Sequence, residues 1–177
     1  MTNRLKTVKY PRLILLRCKD ADRLSGLISD ILNYCSYNTC IDDFTENTDY
    51  VISSSGCSDE DMGGVIADTA LASGEELQEL RRNGFRKLVA PYGEASYLME
   101  NEDGLITYSG DGYSSDVTCR NIKVSGDTAV FDIESSGILG RVRINRRVYT
   151  IYEVLVCTSV LLAAGIPLAS VISYFSR

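Results

Sequence analysis

Apolar positions along the chain change their spacing twice, and each change marks a change of architecture. "LILLR" at 13–17 is a short continuous apolar run of the kind that makes a strand buried on both faces. Directly after it, Leu24, Leu27, Ile28, Ile31 and Leu32 recur at i, i+3, i+4, i+7 and i+8, which predicts one face of a helix. "DYVISSS" (49–55) predicts a second strand followed by a Gly/Ser turn. "SGEELQELRRNGF" (73–85) opens like a capping box, with Ser73 and Glu76, and should stop at Asn83-Gly84. "RKLVAPY" (86–92) predicts a third strand. Short buried strands separated by helices imply a parallel sheet with right-handed crossovers. After "NEDG" (101–104) the spacing drops to alternation in "LITYSG", "DVTCRNIKV", "AVFDIES" and "LGRVRINRRVY", with turn signals at 125–127 and 135–137. That predicts an antiparallel meander. A final apolar stretch predicts a helix over about 151–164. The expected fold is one α/β unit over 1–177, with a mostly parallel sheet flanked by helices in 1–100, antiparallel strands in 101–150 and a C-terminal helix in 151–177.

One segment complicates this picture. "VLVCTSVLLAAGIPLASVISYF" (154–175) is about long enough to cross a bilayer core of ~30 Å. Gly165 and Pro167 divide it, however, and no polybasic flank accompanies it. A core helix ending near Ala164, capped by Gly165 and followed by a new turn at Pro167, is the preferred reading. The expectation is no membrane span.

Composition then removes whole classes of chemistry. The net charge is −6, with no basic footprint for a nucleic-acid duplex. There is no histidine, which excludes Ser-His and Cys-His nucleophile pairs and His-containing zinc sites. The six cysteines (18, 35, 40, 57, 119 and 157) form no C-x-x-C pair. Several lie in apolar runs, where a thiol serves as small core filler. The N-terminal "MTNRLKTVKYPR" lacks a signal-peptide core, and a reduced, cytoplasmic setting is the simplest expectation.

The order of these parts and several local strings resemble the central ATP-binding domain of the Mur ligase family. Those enzymes, with the folylpolyglutamate synthetases, join an amino acid to a carboxylate through an acyl-phosphate. "SSDVTCRNIKVSGDTAVFDI" is similar to a strand pair of that family. "TIYEVLVCTSVLLAAGIPLASV" is similar to its last central-domain helix without gaps, and "YGEASYLMENEDGLITYSG" resembles the strand–loop–strand passage before it. The resemblance implies a P-loop-NTPase-like sheet and, in an intact member, ATP and magnesium.

The departures fall on the residues that would carry the chemistry. In the family, the first strand runs into G-T-N-G-K-[ST], whose backbone amides and lysine hold the phosphates while the hydroxyl meets magnesium. Here that loop position is Arg17, Cys18, Lys19, Asp20, Ala21 and Asp22. The lysine position is Ala21 and the magnesium-hydroxyl position is Asp22. Bulky residues replace both glycines, and two carboxylates occupy a helix N-terminus, where they satisfy the dipole and repel a second anion. The family's His-Asn pair, on the adenine side, falls on Tyr149 and Thr150, and its next asparagine falls on Glu153. The family's carbamylated lysine would fall near Glu76, and no lysine lies between Met62 and Arg86. The chain is also expected to end where the family's amino-acid-delivering domain begins.

Other clusters are weaker. "IDDFTEN" (41–47) and "CSDEDMGG" (57–64) offer oxygen ligands without EF-hand spacing, and solvated acidic loops account for them. Glu94, Glu100, Glu102 and Asp103 are candidate acids, and "YSGDGYSSD" (108–116) is a candidate contact loop or a connection. Lys19 could activate the Cys18 thiol, against which the neighbouring aspartates act. The reading is a domain without catalytic residues, metal or cofactor. It would act as a binding, regulatory or assembly protein with a protein partner or a second copy. The alternative is an active or split ATP-dependent amide ligase completed by another chain, the one case in which ATP and magnesium are expected.

Overall fold

The computed structural model describes residues 11–43, 45–54, 67–77, 85–95, 104–110 and 114–176. Its elements are β1 (Arg12–Arg17), α1 (Ala21–Tyr34), β2 (Thr39–Ile41), β3 (Tyr50–Ser53), β4 (Thr69–Ala72), β5 (Leu88–Pro91), the single turn α2 (Tyr92–Ala95) and β6 (Leu105–Ser109). They continue with β7 (Val117–Ser125), β8 (Thr128–Ser135), β9 (Ile138–Asn145), α3 (Ile151–Ala163) and α4 (Leu168–Phe175). The strands form one sheet in the order β2-β3-β1-β4-β5-β6-β7-β8-β9. Pairs from β2 to β7 are parallel, and β7-β8 and β8-β9 are antiparallel.

Alternation along the strands divides the interior between the two sheet faces. Ile14, Leu16, Ile52, Leu71 and Val89 point to the face covered by α1, α3 and α4, and join the main core. Ala70, Ala72, Leu88 and Ala90 point to the other face and pack with Leu77 and Ala95. All five residues of the predicted α1 stripe are buried. Each buried Leu or Ile contributes roughly 1.5–3 kcal/mol of transfer free energy, so the stripe alone is enough to seat the helix.

The apolar C-terminal stretch resolves as the broken core helix. Helix α3 is buried from Glu153 to Leu161, and its hydroxyls Thr158 and Ser159 donate back to the carbonyls of Val154 and Leu155. Gly165, at φ +90, ends it: its N–H bonds the Leu162 carbonyl and that of Ile166 bonds Leu161, the two bonds of a Schellman motif. The exposed carbonyls beyond are met from below by Arg12 Nη1 (3.1 Å to Ala164 O) and Lys87 Nζ (2.8 Å to Ala163 O), cations at the negative end of the helix. Among the described residues, no helix is long and apolar enough to cross a membrane.

The meander begins one strand later than its alternation suggests. β6 pairs parallel with β5 and, over two residues only, with the start of β7 (Tyr108↔Val117, Ser109↔Thr118). Its alternation reads as antiparallel because Thr107 sits among buried positions, where Asp116 satisfies both its N–H and its hydroxyl. β7, β8 and β9 then extend the sheet as a ribbon with a bulge at Arg120–Lys123. Of the predicted 73–85 helix, only a first turn from Glu76 lies within the described residues.

Candidate functional site

β1 is flanked by β3 and β4, and the chain departs from it in opposite directions across the sheet. Open α/β sheets bind ligands beyond the C-terminal ends of strands at such a switch point. Residues 17–22 lie there, between β1 and α1. Asp20 takes the N-cap position of α1 with no side-chain cap hydrogen bond, and Lys19, Asp20 and Asp22 are exposed. The Ala21 N–H bonds the Cys18 carbonyl at 3.2 Å. Cys18 is half-buried. Burial pushes its thiol above the ordinary range, and the nearby backbone N–H of Asp20 only partly offsets this. Desolvation, with the Asp20 charge, thus acts against activation of this thiol, in the direction expected from the neighbouring aspartates.

The structure brings the second set of positions to this loop. Thr150 caps α3 by accepting from the Glu153 N–H (3.1 Å), while Glu153 Oε2 accepts from the Thr150 N–H (2.7 Å), a complete capping box. The other oxygen of Glu153 pairs with Arg23 Nε at 2.5 Å, and Arg23 Nη2 donates to the Val148 carbonyl at 2.7 Å. Arg23 thus ties the first turn of α1 to the entry of α3. A cation in the first turn opposes the helix dipole unless a partner holds it, and that misplacement was the one sequence signal for this clasp. Tyr149 turns aside, its hydroxyl 3.3 Å from that of Tyr174 and its ring edge-on to Phe175.

Beside the clasp lies a cleft of about 740 Å³ above the ends of β5 and β6. Tyr92, Tyr108, Ile122, Ile151, Tyr152 and Leu155 line it, with Gly93 and Gly110 at its mouth. The Tyr108 and Tyr152 hydroxyls are 3.1 Å apart and their rings meet edge to face. Burial holds the Tyr108 phenol far above its ordinary range, so it stays a neutral hydroxyl. A mostly apolar wall with a few convergent hydroxyls suits an uncharged organic group. Ser109 and Gly110, from the "YSGDGYSSD" stretch, take part. Tyr152 and Ile122 were invisible from spacing because the β7 bulge and the start of α3 bring them together only in three dimensions.

The remaining sequence candidates scatter. Glu94 accepts from the Gly74 N–H at 2.6 Å. Asp42 closes a turn onto the Ser54 N–H and hydroxyl. Glu76 is exposed at the start of its turn. "CSDEDMGG", Glu100, Glu102 and Asp103 lie outside the described residues. No group of three or more metal-ligating side chains occurs among the described residues.

A mostly parallel sheet with a switch point at β1, helices packed on one face and an antiparallel ribbon beyond defines an open α/β domain. Solved structures make the class more specific: the chain has a Mur-ligase-like fold. It superposes on a UDP-N-acetylmuramoyl-L-alanyl-D-glutamate–2,6-diaminopimelate ligase with a TM-score of 0.74 and 14% identity, covering 96% of this chain and 47% of that one. The UDP-N-acetylmuramate:L-alanyl-γ-D-glutamyl-meso-diaminopimelate ligase from Neisseria meningitides gives 0.65 and 8% identity, covering 97% and 67%. Folylpolyglutamate synthetase from Lactobacillus casei gives 0.57 and 7%, covering 95% and 62%. The chain spans about half the length of the first of these. No protein-family model matches the sequence, and no curated protein matches it significantly.

Proposed function

We propose that this Mur-ligase-like domain has given up the triphosphate grip and acts as a binding, regulatory or assembly protein, with the apolar cleft as its ligand site. The observation that carries this reading is the Arg23–Glu153 clasp across the loop at 17–22. A triphosphate at a helix start needs free backbone amides and a cation facing it. Here the Ala21 amide is turned to Cys18, position 21 has no amine, and Asp20 and Asp22 stand at the surface. The Arg23 guanidinium beyond them is already held by a carboxylate and a carbonyl. These residues do not fit ATP-magnesium. The names of its structural neighbours, ligases of muramoyl peptides, support a role beside peptidoglycan precursor metabolism, exercised with a protein partner or a second copy.

Isothermal titration with Mg-ATP tests the reading. No saturable heat in the micromolar range is expected. Micromolar binding that changes on Asp22→Lys or Arg23→Ala substitution, and so is located at this loop, would overturn it. Phosphate release on adding an amino-acid acceptor would establish the ligase alternative.

A further inference from the structure

A second pocket, of about 290 Å³, lies on the other face of the sheet, where β7 leaves β6 and the β8–β9 turn closes over it. Val117 and Cys119 point into the main core, so Thr118 between them points to this face. Thr118 is 3% exposed, and its Oγ1 is a buried polar atom without a hydrogen-bond partner. A buried hydroxyl left unpaired is unfavourable by about 1–3 kcal/mol, which points to a group that completes it.

The surroundings specify that group. Glu134 stands directly opposite Thr118 in the β7–β8 register, and Asp116 precedes Thr118 by two residues. Asp116 Oδ2 accepts both bonds from Thr107, and its Oδ1 accepts none among the described residues. Glu134 Oε2 pairs with Arg120 at 3.1 Å. Two carboxylates against one guanidinium leave the pocket one cation short of neutrality, which disfavours phosphate and other anions. Thr118, Asp116 and Glu134 all line the pocket, so it combines an unpaired buried hydroxyl with two carboxylates. An ammonium group offers three N–H donors and one positive charge. The space far exceeds the ~30 Å³ of one water, so the ammonium arrives attached to an organic body.

We propose that this pocket binds the primary ammonium group of a small organic amine. The test is a ¹H–¹⁵N NMR titration of the full chain near pH 7 with n-butylamine and 1,4-diaminobutane. Matched titrations use 1-butanol, tetramethylammonium and potassium. The amines should saturably shift amides around 116–120 and 134–137, and Thr118→Val or Glu134→Gln should weaken them by about fivefold or more. Thr118→Val removes only an unpaired hydroxyl at nearly constant volume, so it remains folded and keeps the test decisive. Equal shifts with butanol, tetramethylammonium or potassium would overturn the proposal, as would unchanged amine affinity in folded Thr118→Val.

Discussion

Glu153 is the residue on which the clasp depends, and its substitution separates three interactions. Its backbone N–H reaches the Thr150 hydroxyl, its Oε2 accepts the Thr150 N–H at 2.7 Å, and its Oε1 holds Arg23 at 2.5 Å. Thr150→Ala removes the cap alone and should cost about 1 kcal/mol. Glu153→Gln keeps an acceptor for the Thr150 N–H but drops the charge. Because Arg23 is 59% exposed, solvent screens that pair and the loss should be about 1 kcal/mol. Glu153→Ala loses the acceptor and the ion pair together and leaves Arg23 facing the α1 dipole with only the Val148 carbonyl as partner. Its expected cost is about 2–3 kcal/mol. At this chain length each kilocalorie corresponds to roughly 2–4 °C in Tm. Urea denaturation of Arg23→Ala, Glu153→Gln and the double variant should give a coupling of about 0.5–1 kcal/mol. Coupling near zero would show that the clasp does not close in solution and that Arg23 is free to meet a triphosphate. Equal loss in Glu153→Gln and Glu153→Ala would refute the division of labour between the two oxygens.

Two further outcomes rest on other parts of the fold. Gly104 sits at φ +93, where an added Cβ would lie 2.6 Å from the Arg86 carbonyl oxygen, so Gly104→Ala combines backbone strain with a collision against main chain. It should destabilise by about 2–4 kcal/mol in urea denaturation, and a loss below 1 kcal/mol would place that turn elsewhere. Buried Asp132 accepts from Arg141 Nε at 2.8 Å and Asn121 Nδ2 at 2.8 Å, and these bonds hold its carboxyl below the ordinary range. A lowered folded pKa adds stability that is fully present above the unfolded value of about 3.9 and is lost as pH falls through the folded value. Stability measured from pH 6 to pH 2 should therefore fall less steeply in Asp132→Asn than in the parent chain, and parallel curves would refute the assignment.

The parallel core was legible because its causes are local. The 13–17 run, the α1 stripe and the Gly165–Pro167 break each act within a few residues, and each appears where its chemistry required. β6 was misplaced because alternation reports burial on one face, not the direction of the neighbouring strand. In β6 an aspartate nine residues away satisfies Thr107 and gives the alternation a different origin. The loop at 17–22 and the positions at 149–153 were singled out separately, through the family resemblance. That they meet was not written in either string, because the join is made by Arg23, a residue with no motif. The cleft was less legible still. Its tyrosines come from three elements separated by up to 60 positions, and tyrosine carries no spacing rule of its own.

The proposed loss of the triphosphate grip raises the question of why such a scaffold would persist. On that proposal the clasp does not dismantle the ligand edge; it moves it. Arg23 and Glu153 bond to each other between the starts of α1 and α3, while the cleft above the ends of β5 and β6 stays open beside Tyr152. A site that binds a triphosphate must present uncompensated positive charge, and so cannot also favour an uncharged partner. Closing the charged half makes the remaining half selective for apolar surface. Tyr152, 51% exposed on the rim, and Ile122, 46% exposed across from it, are then the side chains a partner or ligand would cover. On this reasoning Tyr152→Ala should cost about 1–3 kcal/mol, since buried Tyr108 loses both a ring contact and the partner of its hydroxyl, and in the still-folded chain should abolish whatever association the domain makes through the cleft. An association that survives Tyr152→Ala unchanged would locate the functional surface elsewhere.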